Sequence, residues 1–183
     1  MIKSILKIKI IFFIKVLVIF LAISLKSYAG ETNNKNDLIV MGSDKALVKI
    51  EIFSSHTCPH CANFHINVVS KIIEKFVEQG QVQLIFVDFP LDQAAFNASK
   101  LLHCLDKKKQ IKFLDTIYND QKIWTNGSNI NEINENLKKV VKNFGINNAQ
   151  FDACLINESI SDKILNARID SQKKYSIEST PTI

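Results

Sequence analysis

Glycine and proline are scarce in this chain of 183 residues, which contains five glycines and three prolines. The scattered glycines form no phosphate-binding loop, and the G-x-S-x-G motif of many serine hydrolases does not occur. The sequence also lacks internal repeats and low-complexity segments. These absences argue against nucleotide binding and against serine-based hydrolysis.

Excess positive charge is confined to the N-terminus. The first 29 residues hold five of the 23 basic residues and none of the 18 acidic ones, so the remainder carries 18 of each and no net charge. The basic balance of the whole chain therefore gives no reason to expect a nucleic-acid partner, and we predict none.

Residues 1–29 have the pattern of a secretory signal peptide. A lysine-rich start precedes the apolar segment Val16–Leu25, and the small residues Ser27 and Ala29 stand where signal peptidase reads a cleavage site. A segment of ten residues is shorter than the about 20 apolar residues of a membrane span. We expect cleavage after Ala29 and export; an uncleaved membrane anchor is the alternative.

Strands and helices are predicted from the apolar periodicity. A possible edge strand at Asp37–Met41 and a strand at Leu47–Phe53 precede a helix from Pro59 to about Gln79, and a further strand follows at Gln81–Phe89. From Asp92 to about Tyr175 the pattern is helical throughout. The predicted fold class is therefore α/β, beginning with a β–α–β unit.

Three finer predictions concern the helices. The first helix is expected to bury a face that includes Ile66, Val68 and Phe76. A later helix is predicted over Ile111–Trp124. In the last helix, Ser159 with Asp162 three residues on has the pattern of a capping box.

The stretch Cys58-Pro59-His60-Cys61 stands where the first predicted strand of the β–α–β unit becomes the helix. Proline suits the first helical position, which puts Cys58 at the helix N-terminus, where free N–H groups and the helix dipole favour a thiolate. His60 lies close enough to favour the anion further. Cys61, one turn along, is placed to attack a mixed disulfide formed at Cys58.

Other uses of this cysteine pair fit less well. A structural zinc site needs four ligands, and neither Cys104, Cys154 nor the four histidines show matching spacing. A c-type haem requires histidine directly after the second cysteine, where this chain has Ala62. An inert disulfide across two residues would constrain little of the unfolded chain. We therefore predict redox chemistry, with no metal and no cofactor beyond the disulfide of Cys58 and Cys61.

These features resemble the DsbA-type thiol:disulfide oxidoreductases of bacterial envelopes, within the thioredoxin superfamily. Asp88-Phe89-Pro90-Leu91 looks like the turn that leaves the family's second strand, and Thr180-Pro181-Thr182 is similar to its cis-proline loop. The resemblance covers about residues 38–183 and implies a thioredoxin-like fold with an inserted helical domain. The implied segments are the signal peptide 1–29, an N-terminal segment 30–46, the β–α–β unit 47–91, the helical insertion 92–175, and the cis-proline loop 176–183.

The resemblance also implies roles for individual residues. Cys58 would be the nucleophile, Cys61 the resolving thiol, and His60 a stabiliser of the thiolate. Thr180 and a cis Pro181 would face the substrate. Because some relatives carry a second, non-catalytic disulfide in the helical insertion, Cys104 and Cys154 are expected to pair, and two buried free thiols are the alternative.

By the same resemblance, the protein would be a periplasmic oxidase that introduces disulfides into reduced, unfolded secreted polypeptides and is reoxidised by a membrane quinone-linked partner. The alternatives are a disulfide isomerase or reductase, or a non-catalytic remnant, since the family continues with further strands and a C-terminal helix beyond Ile183.

One position departs from the family's pattern. Many relatives have an acidic residue six positions before the nucleophile, where this chain has Ile52, and Glu51 points to the opposite face of the strand.

Overall fold

A three-stranded sheet organises residues 38–183, the part of the chain that this computed structural model describes. Its strands are β1 (Ile39–Met41), β2 (Val48–Ser54) and β3 (Val82–Asp88), in the order β1-β3-β2. β3 runs parallel to β2 and antiparallel to β1, which confirms the predicted edge strand. The predicted signal peptide and its cleavage site after Ala29 lie outside the described residues.

Helix α1, residues 59–77, connects β2 to β3 and supplies part of the core. Two of its four stretches are α-helical and two are π-helical; in order they are Pro59–Phe64 (α), His65–Val69 (π), Ser70–Ile72 (α) and Ile73–Val77 (π). Gly80 follows with a φ of +71°, a conformation that glycine adopts without steric cost, and the chain then enters β3.

The π-helical turns change which side chains of α1 are buried. The sequence predicts Ile66, Val68 and Phe76 on the buried face, but they are 39%, 41% and 43% exposed, so this prediction is wrong. Ile66 and Val68 lie in the first π stretch and Phe76 in the second. A π turn contains more residues than an α turn, so side chains within it leave the face that a regular helix would give them. His65 and Val77 are buried on the inner face instead.

Six further helices follow in the described residues. They are α2 (Gln93–Cys104), α3 (Lys107–Asn119), α4 (Gln121–Trp124), α5 (Ile130–Lys142), α6 (Asn148–Leu155) and α7 (Glu158–Tyr175). They confirm the helical character predicted from Asp92 to Tyr175, and the whole is the α/β, thioredoxin-like arrangement with a helical insertion that the sequence predicts. Within residues 38–183, no helix combines the length and apolar character needed to cross a membrane.

Two helix predictions are corrected by the structure. The single helix predicted over Ile111–Trp124 is two helices, because the backbone of Asp120 (φ −96°, ψ 15°) interrupts the run between α3 and α4. The last helix is capped by Asn157, whose side chain accepts a hydrogen bond from the Ile160 N–H at 3.1 Å. Ser159 already lies inside the first turn, so the predicted capping box is wrong.

One hydrophobic core joins the sheet, α1 and the helical region. Its fully buried members include Leu84 of β3 with Phe113, Trp124, Leu137 and Phe151 of four different helices, and it extends to both Cys58 and Cys61. The cysteine pair is thus held by the same packing that holds the two parts of the fold together.

Candidate active site

Cys58 lies at the N-terminal end of α1, as the sequence predicts. Its backbone is extended (φ −73°, ψ 117°), Pro59 opens the helix, and the Cys58 carbonyl accepts the Ala62 N–H at 3.1 Å. The N–H groups of the first turn have no partner within the helix, and the helix dipole is positive at this end. The sulfur therefore lies where a negative charge is stabilised.

Thr180 and Pro181 form the other side of the site. The peptide bond between them is cis, and the Thr180 carbonyl oxygen accepts a hydrogen bond from the Cys58 thiol at 3.4 Å. Thr182 anchors this segment on β2, because it exchanges two backbone hydrogen bonds with Phe53, at 2.9 and 3.1 Å. Residues that are 122 positions apart in the chain are thereby brought into contact.

The environment of Cys58 favours its thiolate. Burial raises the pKa of the Cys58 thiol, but hydrogen bonds from the Thr180 side chain and from the backbone N–H groups of Cys61 and His60 outweigh it and hold the pKa below its ordinary value. The Thr180 hydroxyl is itself buried, and apart from the two sulfurs it has no hydrogen-bond partner among the described residues. It is therefore available to a sulfur anion.

Cys61 has the opposite tendency. Cys61 is 1% exposed, and this burial raises the pKa of its thiol. Hydrogen bonds from the Thr180 side chain and from the Ser55 backbone lower that pKa, and the neighbouring Cys58 raises it. The net shift of the Cys61 pKa is upward. The two cysteines, both free thiols in the structure, thus have pKa values pushed apart. Such a separation is typical of a pair in which one member reacts first.

Gln121 of α4 holds the turn that carries Cys58. Its side-chain Nε2 donates to the carbonyl oxygens of His56 and Cys58, at 2.8 and 3.0 Å, in a buried position. Ser55 supports the same turn from the other side, because its Oγ accepts the Leu91 N–H at 3.2 Å. The helical region therefore fixes the geometry of the cysteine pair.

His60 is exposed in the structure, as is Pro59 before it. The contribution of His60 that the structure describes comes from its backbone N–H, which lowers the pKa of Cys58. A role of its imidazole in stabilising the thiolate stays a prediction.

At the carboxyl end of β3 lies a buried group that the sequence does not predict, the His–Asp–His cluster of His56, Asp88 and His103. Asp88 Oδ1 is 3.3 Å from His56 Nε2, and Asp88 Oδ2 is 2.7 Å from His103 Nε2. Burial raises the pKa of the Asp88 carboxyl, but the two histidines lower it far more, so the carboxylate stays ionised. His56 Nε2 meets only this carboxylate, and His56 Nδ1 has no hydrogen-bond partner among the described residues, although the residue is 3% exposed.

One signal in the sequence could have identified part of this cluster. Asp88 ends β3 directly opposite Ser54, the end of the parallel strand β2, and His56 follows two residues later. The carboxyl ends of parallel strands meet at one edge of a sheet, where polar residues are often functional. His103 on α2 could not be found in this way, because helix packing alone brings it to Asp88.

Cys104 and Cys154 lie away from this site, in the helical region. The structure joins them by a disulfide between the end of α2 and α6, with their Cα atoms 6.2 Å apart. No group of three or more histidine, cysteine, aspartate or glutamate side chains within residues 38–183 is arranged to hold a metal ion.

Comparison with known proteins identifies what the chain is similar to. A family model described as thioredoxin matches residues 34–183. The crystal structure of alpha-DsbA1 from Wolbachia pipientis has a TM-score of 0.71 and 30% sequence identity, over 79% of this chain and 72% of that one.

Two relatives from sequence comparison carry names of the same kind. A Bacillus cereus protein named as disulfide bond formation protein D is 25% identical, over 95% of this chain and 84% of its own length. A Rickettsia bellii protein named as a protein-disulfide oxidoreductase is 26% identical over 72% of this chain, and the match spans half of that relative's length.

Proposed function

The chain belongs to the thioredoxin family, among its DsbA-type thiol:disulfide oxidoreductases, and we propose that it oxidises pairs of cysteine thiols in other polypeptides through Cys58 and Cys61. The observation that carries the proposal is the position of Cys58, at the N-terminus of α1 and with its thiol 3.4 Å from the carbonyl oxygen of Thr180 beside the cis peptide bond to Pro181. The pKa values of the two thiols agree with it, since the pKa of Cys58 is lowered and that of Cys61 is raised. Cys58 is favoured as a thiolate and Cys61 as a buried thiol.

The reaction proceeds by two exchanges. A substrate thiolate attacks the Cys58 sulfur of the oxidised pair, the bond between the cysteines breaks, and Cys61 leaves as a thiolate. A second substrate thiolate then attacks the substrate sulfur of the mixed disulfide, and Cys58 leaves as a thiolate. Two electrons pass from the substrate dithiol to the cysteine pair, and the low pKa of Cys58 makes it a good leaving group.

Thr180 and Pro181 are the residues that we propose to face the substrate. They flank Cys58, and Thr182 extends the edge of β2 by backbone pairing with Phe53. An extended peptide bound here can hydrogen-bond to the backbone without regard to its own side chains. This supports a broad class of substrates, namely reduced and unfolded polypeptides.

Export and reoxidation belong to the same proposal. A protein that donates disulfides needs a compartment where they persist, which fits a periplasmic location and the predicted signal peptide. The reduced pair must then pass its two electrons to an acceptor, for which the family resemblance implies a membrane quinone-linked partner. The exchange itself requires only the disulfide of Cys58 and Cys61.

The test is oxidation of a reduced model peptide that contains two cysteines. The oxidised protein should convert it to the disulfide form, and Cys58→Ser should abolish the conversion. In Cys61→Ser, Cys58 should still form a mixed disulfide, but the variant cannot form the Cys58–Cys61 disulfide and so should not oxidise the peptide. The matched control is Cys104→Ala/Cys154→Ala, which removes the other pair and should keep the activity of the folded fraction.

Full activity of Cys58→Ser would contradict the proposal. If the protein instead rearranges a scrambled disulfide substrate without added oxidant, and oxidises the reduced peptide poorly, then isomerisation is its better description.

A further inference from the structure

Cys61 must gain and lose a proton in every cycle of the proposed reaction. When it leaves as a thiolate, its raised pKa requires a proton; when it later attacks a mixed disulfide at Cys58, it must give that proton up. Cys61 is 1% exposed, so bulk water has little access to its sulfur. Position 52, on the strand before the site, is the buried and apolar Ile52, which cannot accept a proton.

We propose that the His–Asp–His cluster serves the resolving cysteine, with His56 receiving the proton of Cys61 and returning it. The inference rests on the proposed function, since it concerns the resolving step of the same exchange. It is carried by the burial of His56, by its contacts with Asp88 and Tyr118, and by its Nδ1, which has no partner among the described residues.

The cluster approaches Cys61 through its immediate neighbours. The Ser55 backbone, which directly precedes His56, hydrogen-bonds to the Cys61 sulfur. Tyr118 of α3 lies between the two groups: its ring is 5.5 Å from that of His56, and Cys61, Asp88 and Cys58 all act on its hydroxyl electrostatically. Gln121 binds the carbonyls of both His56 and Cys58 and so fixes their relative position.

A small cavity adjoins His56. Its lining includes His56, Asp88, Ser54 and Tyr118, and its volume of about 10 Å³ is close to the space that one water molecule needs. An imidazole nitrogen and a carboxylate are partners that such a water requires. A water held there would contact His56 and Tyr118, the residue on whose hydroxyl Cys61 acts electrostatically.

The charges balance in this arrangement. When Cys61 transfers its proton to His56, a thiolate and an imidazolium form together, so the buried site separates charge without changing its total. Asp88, held ionised, stabilises the imidazolium at 3.3 Å, and His103 remains bonded to the other carboxylate oxygen at 2.7 Å. The thiolate then attacks the Cys58 sulfur, a disulfide forms, and the partner's thiolate leaves.

The groups around His56 come from several packed elements. Asp88 of β3 and the ring of Tyr118 of α3 lie directly against it, and His103 of α2 binds the other oxygen of Asp88. Cys58 and Cys61 act electrostatically on Tyr118. His65 of α1 also packs against the Tyr118 ring, with ring centroids 4.7 Å apart, and binds Asp115 at 2.8 Å. Asp88 is therefore the charged group that contacts the His56 imidazole.

The experiment distinguishes the reaction of Cys58 from that of Cys61, because the two occur one after the other. Reduced protein is mixed with excess dithiobis-nitrobenzoate, which releases one coloured thiolate when Cys58 attacks and a second when Cys61 resolves the mixed disulfide. In His56→Gln and in Asp88→Asn, the first release should keep its rate within about twofold. The second should slow by about 100-fold at neutral pH, the lower end of the range for loss of a general base. The pH midpoint of the second phase should move upward.

His65→Gln is the matched control, since His65 is also buried, hydrogen-bonded to a carboxylate and packed against Tyr118. In this variant, both phases of thiolate release should keep their wild-type pH profiles. A wild-type second phase in folded His56→Gln overturns the inference. If the variants do not fold, the His56 imidazole is titrated by NMR in oxidised and reduced wild type, and identical titrations in the two states overturn it equally. Loss of the first phase in wild type would instead contradict the role of Cys58.

Discussion

The side-chain amide of Gln121 donates a hydrogen bond to the carbonyl oxygen of Cys58, over 3.0 Å and in a buried position. The same amide binds the His56 carbonyl at 2.8 Å. A single side chain of the helical region thus holds both the turn before the helix and the residue that carries the reactive sulfur.

Gln121→Leu should therefore destabilise the protein. The Cys58 carbonyl keeps the Ala62 N–H as a partner, but the His56 carbonyl loses its donor in a buried place, which costs about 2 kcal/mol. Denaturant unfolding measures the loss. Asn136→Ala, which removes an exposed side-chain bond to the Asn126 carbonyl, is the control and should cost well under half as much.

Thr180→Val should raise the pKa of the Cys58 thiol, because it removes the side-chain hydrogen bond that contributes most to lowering that pKa. The thiolate absorbance of the reduced protein, followed against pH, reports the change. Thr182→Val is the matched control on the same segment, since its hydroxyl binds the Ser179 carbonyl and not a sulfur. An unchanged titration in Thr180→Val would show that backbone donors alone stabilise the thiolate.

The stability of the reduced protein should depend on pH through Cys58. Its folded pKa lies below its unfolded value, so the stabilisation is complete above the unfolded pKa of about 8.5 and is lost as the pH falls through the folded value. Cys61 acts in the opposite sense: its pKa is raised, so its contribution is lost as the pH rises through the folded value.

The two contributions separate in a comparison of reduced wild type with Cys58→Ser. The difference in free energy of unfolding between them should grow as the pH rises across the window between the folded and unfolded pKa values of Cys58. Denaturant curves at several pH values measure it, and a difference that does not vary with pH contradicts the assignment.

Reduction of the Cys104–Cys154 disulfide should destabilise the fold without changing the contacts of Cys58 and Cys61. The bond closes a loop with a sequence separation of 50, for which chain entropy gives about 4 kcal/mol. The comparison is sharpest in Cys58→Ser/Cys61→Ser, oxidised against reduced, because the two samples then differ only in this bond. Equal unfolding midpoints would show that the bond contributes nothing to stability.

Local patterns predict a large part of this structure. Alternation of apolar residues predicts β2 and β3, and Pro59 after Cys58 predicts a cysteine at a helix N-terminus, because both signals depend on neighbours in the chain. The π turns of α1 could not be predicted in this way. A regular 3.6-residue period places Ile66 and Phe76 on the buried face, and the structure exposes them.

The environment of the cysteine pair depends on distant contacts instead. Gln121 reaches Cys58 across 63 positions, and His103 reaches Asp88 through packing between a helix and a strand. Neither residue differs in its local sequence from an ordinary polar residue on a helix. Such partners become visible only when the fold brings their segments together.

The contact between Cys58 and Thr180 has a consequence for the order of events during synthesis. Thr180 is synthesised 122 residues after Cys58, so the hydrogen bond of the Thr180 side chain to the Cys58 sulfur cannot form while the intervening chain is being made. The thiolate of Cys58 reaches its full stabilisation only when this segment has folded against it. By then Cys104 and Cys154 have both been made and are available to form their own disulfide.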